Sequence, residues 1–169
     1  MSRIEKRLAD LKARQEAGTY TLCPRCGRDT MKASLYTNAT SRLADIMVCD
    51  ECGMDEAKLA WMRNPGTLYN WASLQPIRPQ PDFKDLTCEQ AWEHIRTEQA
   101  ETIRSFYDRH QQGEPNEELR FEALETLQGL SQIWLEPFHL RYRALDAVLV
   151  VQFKSTENGM ELIAALAEE

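Results

Sequence analysis

Apolar residues recur at helical spacing from the start of the chain, where Ile4, Leu8 and Leu11 fall on one face. Ser2 and Glu5 have the form of a capping box and Gly18 supplies a stop, so the pattern predicts a helix between them. Its other face carries Arg3, Lys6, Arg7, Lys12 and Arg14. Two short apolar stretches follow, near Leu35-Tyr36 and at Ile46-Met47-Val48, separated by Thr, Asn and Ser, which predicts a β-hairpin with an irregular tip. The stretch MDEAKLAWM, residues 54–62, reads as a short helix with acids in its first turn, ended before Pro65. Residues 64–81 hold four prolines and one glycine. They read as a linker or an ordered strap, and Tyr69 and Trp71 favour a strap that packs down.

A further capping box at Thr87 and Gln90 opens a predicted helix that runs to about Gln112, before Gly113. Cys88, Trp92, Ile95, Gln99, Thr102 and Phe106 lie along its apolar stripe, with Ile103 beside them. Asn116 then reads as the cap of a second helix through Leu119, Ala123, Leu127 and Leu130, limited by Pro137. A short connection between the two predicts an antiparallel pair. Residues 147–153, AVLVVQF, fit a strand or a buried helix; the last segment, from Asn158 with Glu161 three residues on, reads as a short amphipathic helix. The expected class is α+β. An N-terminal helix and hairpin module occupy 1–63, a Pro-rich strap 64–86, and an acidic, mainly helical region 87–169 in which 144–153 is strand or helix.

A hydrophobic share of 43% with 28% charged residues in 169 belongs to a globular chain rather than a disordered one. The longest aliphatic run, Ala147–Val151, is far short of a membrane span, so no membrane partner is expected. The charged N-terminus lacks the apolar centre of a signal peptide, which predicts a cytoplasmic location. The net charge of −7 is unevenly spread: residues 1–32 hold eight Lys or Arg against four acids, and residues 61–169 hold ten against eighteen.

Four of the five cysteines are clustered. Cys23, Cys26, Cys49 and Cys52 form C-x2-C-x22-C-x2-C. A two-residue gap lets both thiolates of a tight turn face one point, and Gly27 and Gly53 would supply the positive φ that such turns favour. Two such turns brought together by a hairpin complete the tetrahedron that a structural zinc ion prefers. Four thiolates leave no open coordination position, so the expected cofactor is one structural zinc ion and not a catalytic one. A redox dithiol at Cys23-Pro24-Arg25-Cys26 is the alternative, but no βαβ pattern surrounds it.

The segments CPRCGRDTM and TNATSRLADIMVCDECGMDEA resemble a family of small zinc-ribbon proteins of phages, prophages and gut bacteria, with the pattern CPRCG…NA-x-SR-x-AD-x-x-(V/I)C-x-x-CG-x-x-EA. Asn38, Ala39, Ser41, Arg42, Ala44, Asp45, Glu56 and Ala57 match it. The match covers residues 20 to 60. It implies a zinc ribbon and a mobile-element setting rather than an activity.

Other chemistry finds no support in the residues. Asp50-Glu51 reads as part of a solvated turn and Asp55-Glu56 as a complement to a helix dipole. His94, His110 and His139 are widely spaced, and Cys88 falls on an apolar stripe as a core thiol. No phosphate loop, nucleophile elbow or paired-carboxylate motif occurs, and the expectation is a non-enzymatic binding protein. Its expected partner is nucleic acid or nucleic-acid machinery, met by Arg7, Arg14, Arg25, Arg28, Lys32, Asn38 and Arg42 near the hairpin and basic helix. Arg42 stands out unless Asp45 neutralises it. The competing expectation is a protein-directed modulator of a host defence or transcription complex, acting through its acidic helical region.

Overall fold

The structure is a computed structural model in which residues 1–167 are described. The chain divides into two compact units, Met1–Gln75 and Pro76–Glu169, each with its own core. Charge follows that division, with eleven Lys or Arg against nine acids in the first and nine against eighteen in the second.

In the first unit α1 spans Arg3–Glu16, and both halves of the Ser2/Glu5 capping box are formed. Ile4 and Leu11 are buried, as is Gln15. The Gln15 side chain acts as a substitute peptide: its Nε2 donates to the Met47 carbonyl at 2.8 Å and its Oε1 accepts from the Met47 N–H at 3.2 Å. This ties α1 to a short hairpin made of β1 (Ala39–Thr40) and β2 (Met47–Val48), antiparallel with Ala39 opposite Val48. The first strand is not at Leu35-Tyr36 as the apolar pattern suggests; Leu35–Thr37 is a single 3₁₀ turn. The cause is Asn38. Its side chain accepts from the Lys32 N–H at 2.7 Å and donates back to the Leu35 carbonyl at 2.9 Å, curling residues 32–38 on themselves.

The following helix, α2 (Asp50–Trp61), begins four residues earlier than expected, with Cys49 in the N-cap position. Asp50 and Glu51, rather than Asp55 and Glu56, occupy the first turn and complement the helix dipole. Gly53 is therefore helical and does not have the positive φ of Gly27. Its glycine serves close approach instead, since a Cβ there would stand 2.4 Å from that of Ala39. After α2 the chain returns as a strap: Trp71 and Leu74 are buried, and the N–H groups of Ala72 and Ser73 donate to the carbonyls of Arg25 and Pro24, both at 3.0 Å.

In the second unit the Thr87/Gln90 capping box is formed and starts a continuous helical stretch. It comprises α3 (Cys88–His94), one π-helical turn at Ile95–Gln99, and α4 (Ala100–Gln111). The wide turn accompanies a buried polar contact: Gln99 donates to the Gln128 carbonyl at 2.9 Å and accepts from the Tyr142 hydroxyl at 3.2 Å. Next comes α5 (Asn116–Thr126), with Pro115 rather than Asn116 in the N-cap position. Arg109 clasps Glu114 at 2.5 Å and Glu122 at 2.7 Å across the connection.

From here the unit departs from the helical expectation. The helix stops at Thr126, and a four-stranded antiparallel meander follows: β3 (Leu130–Leu135), β4 (Phe138–Arg143), β5 (Val148–Thr156) and β6 (Gly159–Ala167), paired in that order. The AVLVVQF stretch lies in β5 as a strand. The segment after Asn158, expected as a helix, is β6, because the Thr156–Gly159 hairpin turn returns it along β5. The region from 87 onwards is thus helices on a sheet, not mainly helical. One sheet face, including Leu135, Leu140, Tyr142, Leu149 and Val151, packs with Ile95, Ile103, Phe106, Leu119 and Ala123 of the helices. Each Leu, Ile, Val and Phe side chain among them contributes about 1.5–3 kcal/mol when fully removed from water.

Candidate metal centre and basic surfaces

Cys23 and Cys26 come from a tight turn closed by the Gly27 N–H to Cys23 carbonyl bond at 2.8 Å, with Gly27 at φ 73°. Cys49 and Cys52 come from the N-terminus of α2, one as its N-cap and one in its first turn. The four sulfurs lie within 4.8 Å of one another, and Cys23, Cys49 and Cys52 are buried. Spacing brings all four together as expected, but the second pair is presented by a helix end rather than by a second glycine turn.

The surroundings favour the thiolate at two of the four cysteines, Cys26 and Cys49. The Cys49 N–H points at the Cys23 sulfur at 3.3 Å. Burial raises the Cys26 thiol, yet hydrogen bonds from the Arg28 backbone and guanidinium outweigh it and bring the group down to about 6. Burial also opposes ionisation of Cys49, and a hydrogen bond from Thr30 leads the effects that lower it overall. Cys23 and Cys52 are raised, chiefly by burial, and would lose their protons to a bound cation. Donor type, convergence and second-layer N–H groups all fit one tetrahedral metal ion.

The residues that carry the sequence resemblance join the hairpin to α2. Glu56 is 1% exposed; its Oε2 accepts from the Ser41 hydroxyl at 2.8 Å and from the Arg42 N–H at 2.7 Å. Its Oε1 has no hydrogen-bond partner among the described residues and faces the Arg25 Nε at 3.8 Å. Replacing Glu56 by Ala orphans two donors and is expected to cost about 2 kcal/mol, with faster amide exchange at Arg42. Glu56→Gln, which keeps an acceptor oxygen, should recover most of the loss; equal exchange in all three proteins would refute this role.

The expected binding residues all have contacts within the first unit. Arg7 donates to the Leu74 and Gln75 carbonyls at 3.3 and 2.8 Å. Arg14 lies over the Tyr20 ring and 3.9 Å from Asp10. Arg25 donates to the Cys52 carbonyl at 2.7 Å, and Arg42 to that of Gly53 at 3.2 Å. Asp45 pairs with Lys12 rather than with Arg42. Arg28 pairs with Glu51 at 2.7 Å, and Lys32 with Asp50 at 2.5 Å. Those last two pairs are exposed and weak, so a phosphate could replace the acid, whereas Arg7 and Arg25 hold the fold together.

Sequence reasoning overlooked a different cationic surface, the outer face of the second unit's sheet. Strand alternation points Ile133, Leu135, Leu140 and Tyr142 to the core and puts Gln132, Trp134, His139, Arg141 and Arg143 on the opposite face. Trp134 and His139 are cross-strand partners whose rings stack at 5.9 Å and 16°. Next to this face lies a cavity of about 450 Å³ lined by Arg78, Lys84 and Arg143, with Asp82 also in its wall. The period-2 spacing of Gln132, Trp134, His139 and Arg141 was the available signal. It was masked because the segment before Pro137 read as the end of a helix.

No membrane-crossing helix is present among the described residues. Neither a protein-family model, nor a curated protein, nor a solved structure matches this chain.

Proposed function

We propose that the protein is a non-enzymatic binding protein whose first unit is held by one structural zinc ion and whose target is nucleic acid or the machinery that handles it. The observation that carries this reading is the four-cysteine cluster: every convergent donor among the described residues is a cysteine sulfur, and a tetrahedral ion held by all four would keep no position for water or substrate. The resemblance of residues 20 to 60 to zinc-ribbon proteins of phages and prophages suggests a mobile-element setting. Nucleic acid as target draws support from the charge pattern, since exposed Arg28 and Lys32 and the cationic sheet face offer phosphate contacts on both units.

Metal analysis of protein purified without added metal should return one zinc per chain. Iron in its place, or no metal at all, would defeat the zinc reading. Zinc affinity should fall as the pH is lowered, because protons compete for the thiolates, and a chromophoric chelator titrated at several pH values measures this. Binding of the zinc-loaded chain to DNA and RNA oligomers at low salt tests the target; absence of binding to both would overturn it.

A second reading rests on the helices of the other unit, where residues 88–126 carry ten acids against four Lys or Arg. Such a layer fits a basic protein surface that otherwise takes nucleic acid. It would be supported by a stable complex with one host protein that nucleic acid displaces.

A further inference from the structure

Within the nucleic-acid reading above, on which this step rests, we infer that the outer face of the β3–β6 sheet is a stacking platform for single strands. Trp134 is 47% exposed, although its neighbours Ile133 and Leu135 are drawn into the core. Its indole lies flat against the His139 ring, across the strand pair. One face of an aromatic pair is thus presented on a sheet whose next outward residues along β4 are Arg141 and Arg143. The Arg141 Nε is shielded from solvent and has no hydrogen-bond acceptor among the described residues.

Two further features extend the surface. A shallow recess lined by Trp134, Ser131, Arg120 and Arg78 runs beside β3. Arg78 and Ser131 also line the 450 Å³ cavity, where Lys84 and Arg143 stand, so the recess and the cavity share a wall. Arg78 is fixed there by donating to the Leu130 and Ser131 carbonyls at 3.2 and 3.3 Å. Lys84 sits 3.1 Å from Asp82, an exposed pair that a phosphate can displace. A base would lie on the Trp134–His139 pair while the backbone runs past Arg141 and Arg143 to the cavity.

The chemistry selects single strands over duplex. In a duplex the π-faces of the bases are buried in the stack, and this flat face offers no helix or ribbon to enter a groove. Stacking on an exposed ring tolerates any base, so the platform should show little sequence preference. The ring also separates nucleic acid from other polyanions, which would use the cations but gain nothing from indole.

The test uses the full, zinc-loaded chain and fluorescence anisotropy with labelled single strands of about 12 nucleotides, oligo-dT and oligo-U, beside a duplex of the same length. At about 50 mM salt, single strands should bind more tightly than duplex. Trp134→Ala should weaken binding by about tenfold, within the range set by loss of one stacked base, and Trp134→Phe should restore most of it. Arg141→Gln with Arg143→Gln should weaken binding and reduce its salt dependence. Circular dichroism and zinc content confirm that the variants fold. If the chain binds but Trp134→Ala matches the parent, or duplex binds as tightly as single strands, the platform is overturned while the nucleic-acid reading stands. If no nucleic acid binds the parent chain, both fall.

Discussion

Replacing Cys49 or Cys52 by Ala is expected to unfold the Met1–Gln75 unit, and a strong chelator should do the same to the parent protein. Outside the cysteines, the buried apolar side chains of this unit are few, chiefly Ile4, Leu11, Ile46, Val48, Trp71 and Leu74. A core of that size does not offset the conformational entropy of so short a chain. Structural zinc supplies about 10–16 kcal/mol in comparable small modules, more than the whole stability of an ordinary domain. An ion held by the four cysteines would also bind the parts together, because one pair belongs to the turn on which the strap rests and the other to the start of α2. Amide exchange at Met47, held by Gln15, would report the loss directly. The second unit, with a separate core, should retain its protected strands. A cysteine variant whose Met47 amide stayed protected would show that the metal does not hold this unit together.

Gly129→Ala is expected to destabilise the second unit by about 2–4 kcal/mol. Gly129 has φ 72°, so any side chain there carries left-handed strain of about 1 kcal/mol. An added Cβ would stand 2.3–2.6 Å from three atoms of the Phe83 ring. That ring has no room to retreat: it is fully buried, stacked on Tyr142 at 5.7 Å and edge-on to His94 at 5.2 Å. Overpacking of this kind costs about 1–3 kcal/mol beyond the backbone term. Urea unfolding of the single and double variants with Phe83→Ala provides the check. Phe83→Ala alone should cost about 3–5 kcal/mol, but adding Gly129→Ala to it should cost little more than the backbone strain. Strictly additive losses would show that the glycine is not there to admit the ring.

How much of this was legible in the sequence depends on how local the determining contact is. The four cysteines and both capping boxes are read within a few residues, and they stand where the spacing puts them. Gly53 shows the limit of such reading, because the same letter that gives Gly27 its positive φ here admits Ala39 from another element. Glu56 reads as an ordinary first-turn acid until Ser41 and Arg42, from the hairpin tip, are brought against it. In the second unit, Leu127 and Leu130 continue a helical spacing, and only the pairing of Leu130 with Tyr142 makes the latter a strand residue. Asn158 and Glu161 imitate a capping box, although Asn158-Gly159 after a β-branched run is equally a hairpin signal. Trp134 had no role in the sequence because its exposure is a property of the sheet.

In the second unit the helices of residues 88–126 carry ten acids against four Lys or Arg, while Arg141 and Arg143 stand on the outer sheet face. If the sheet takes nucleic acid as proposed, a strand beyond a Debye length of about 10 Å at 0.1 M salt would meet the unit's net negative charge and be repelled. At contact it would meet the sheet. Encounters that offer the helices would be turned away early, so orientation would be selected before any hydrogen bond forms. Association should therefore quicken as salt is first added and long-range repulsion is screened, then slow once the counterions compete with the sheet's cations for phosphate.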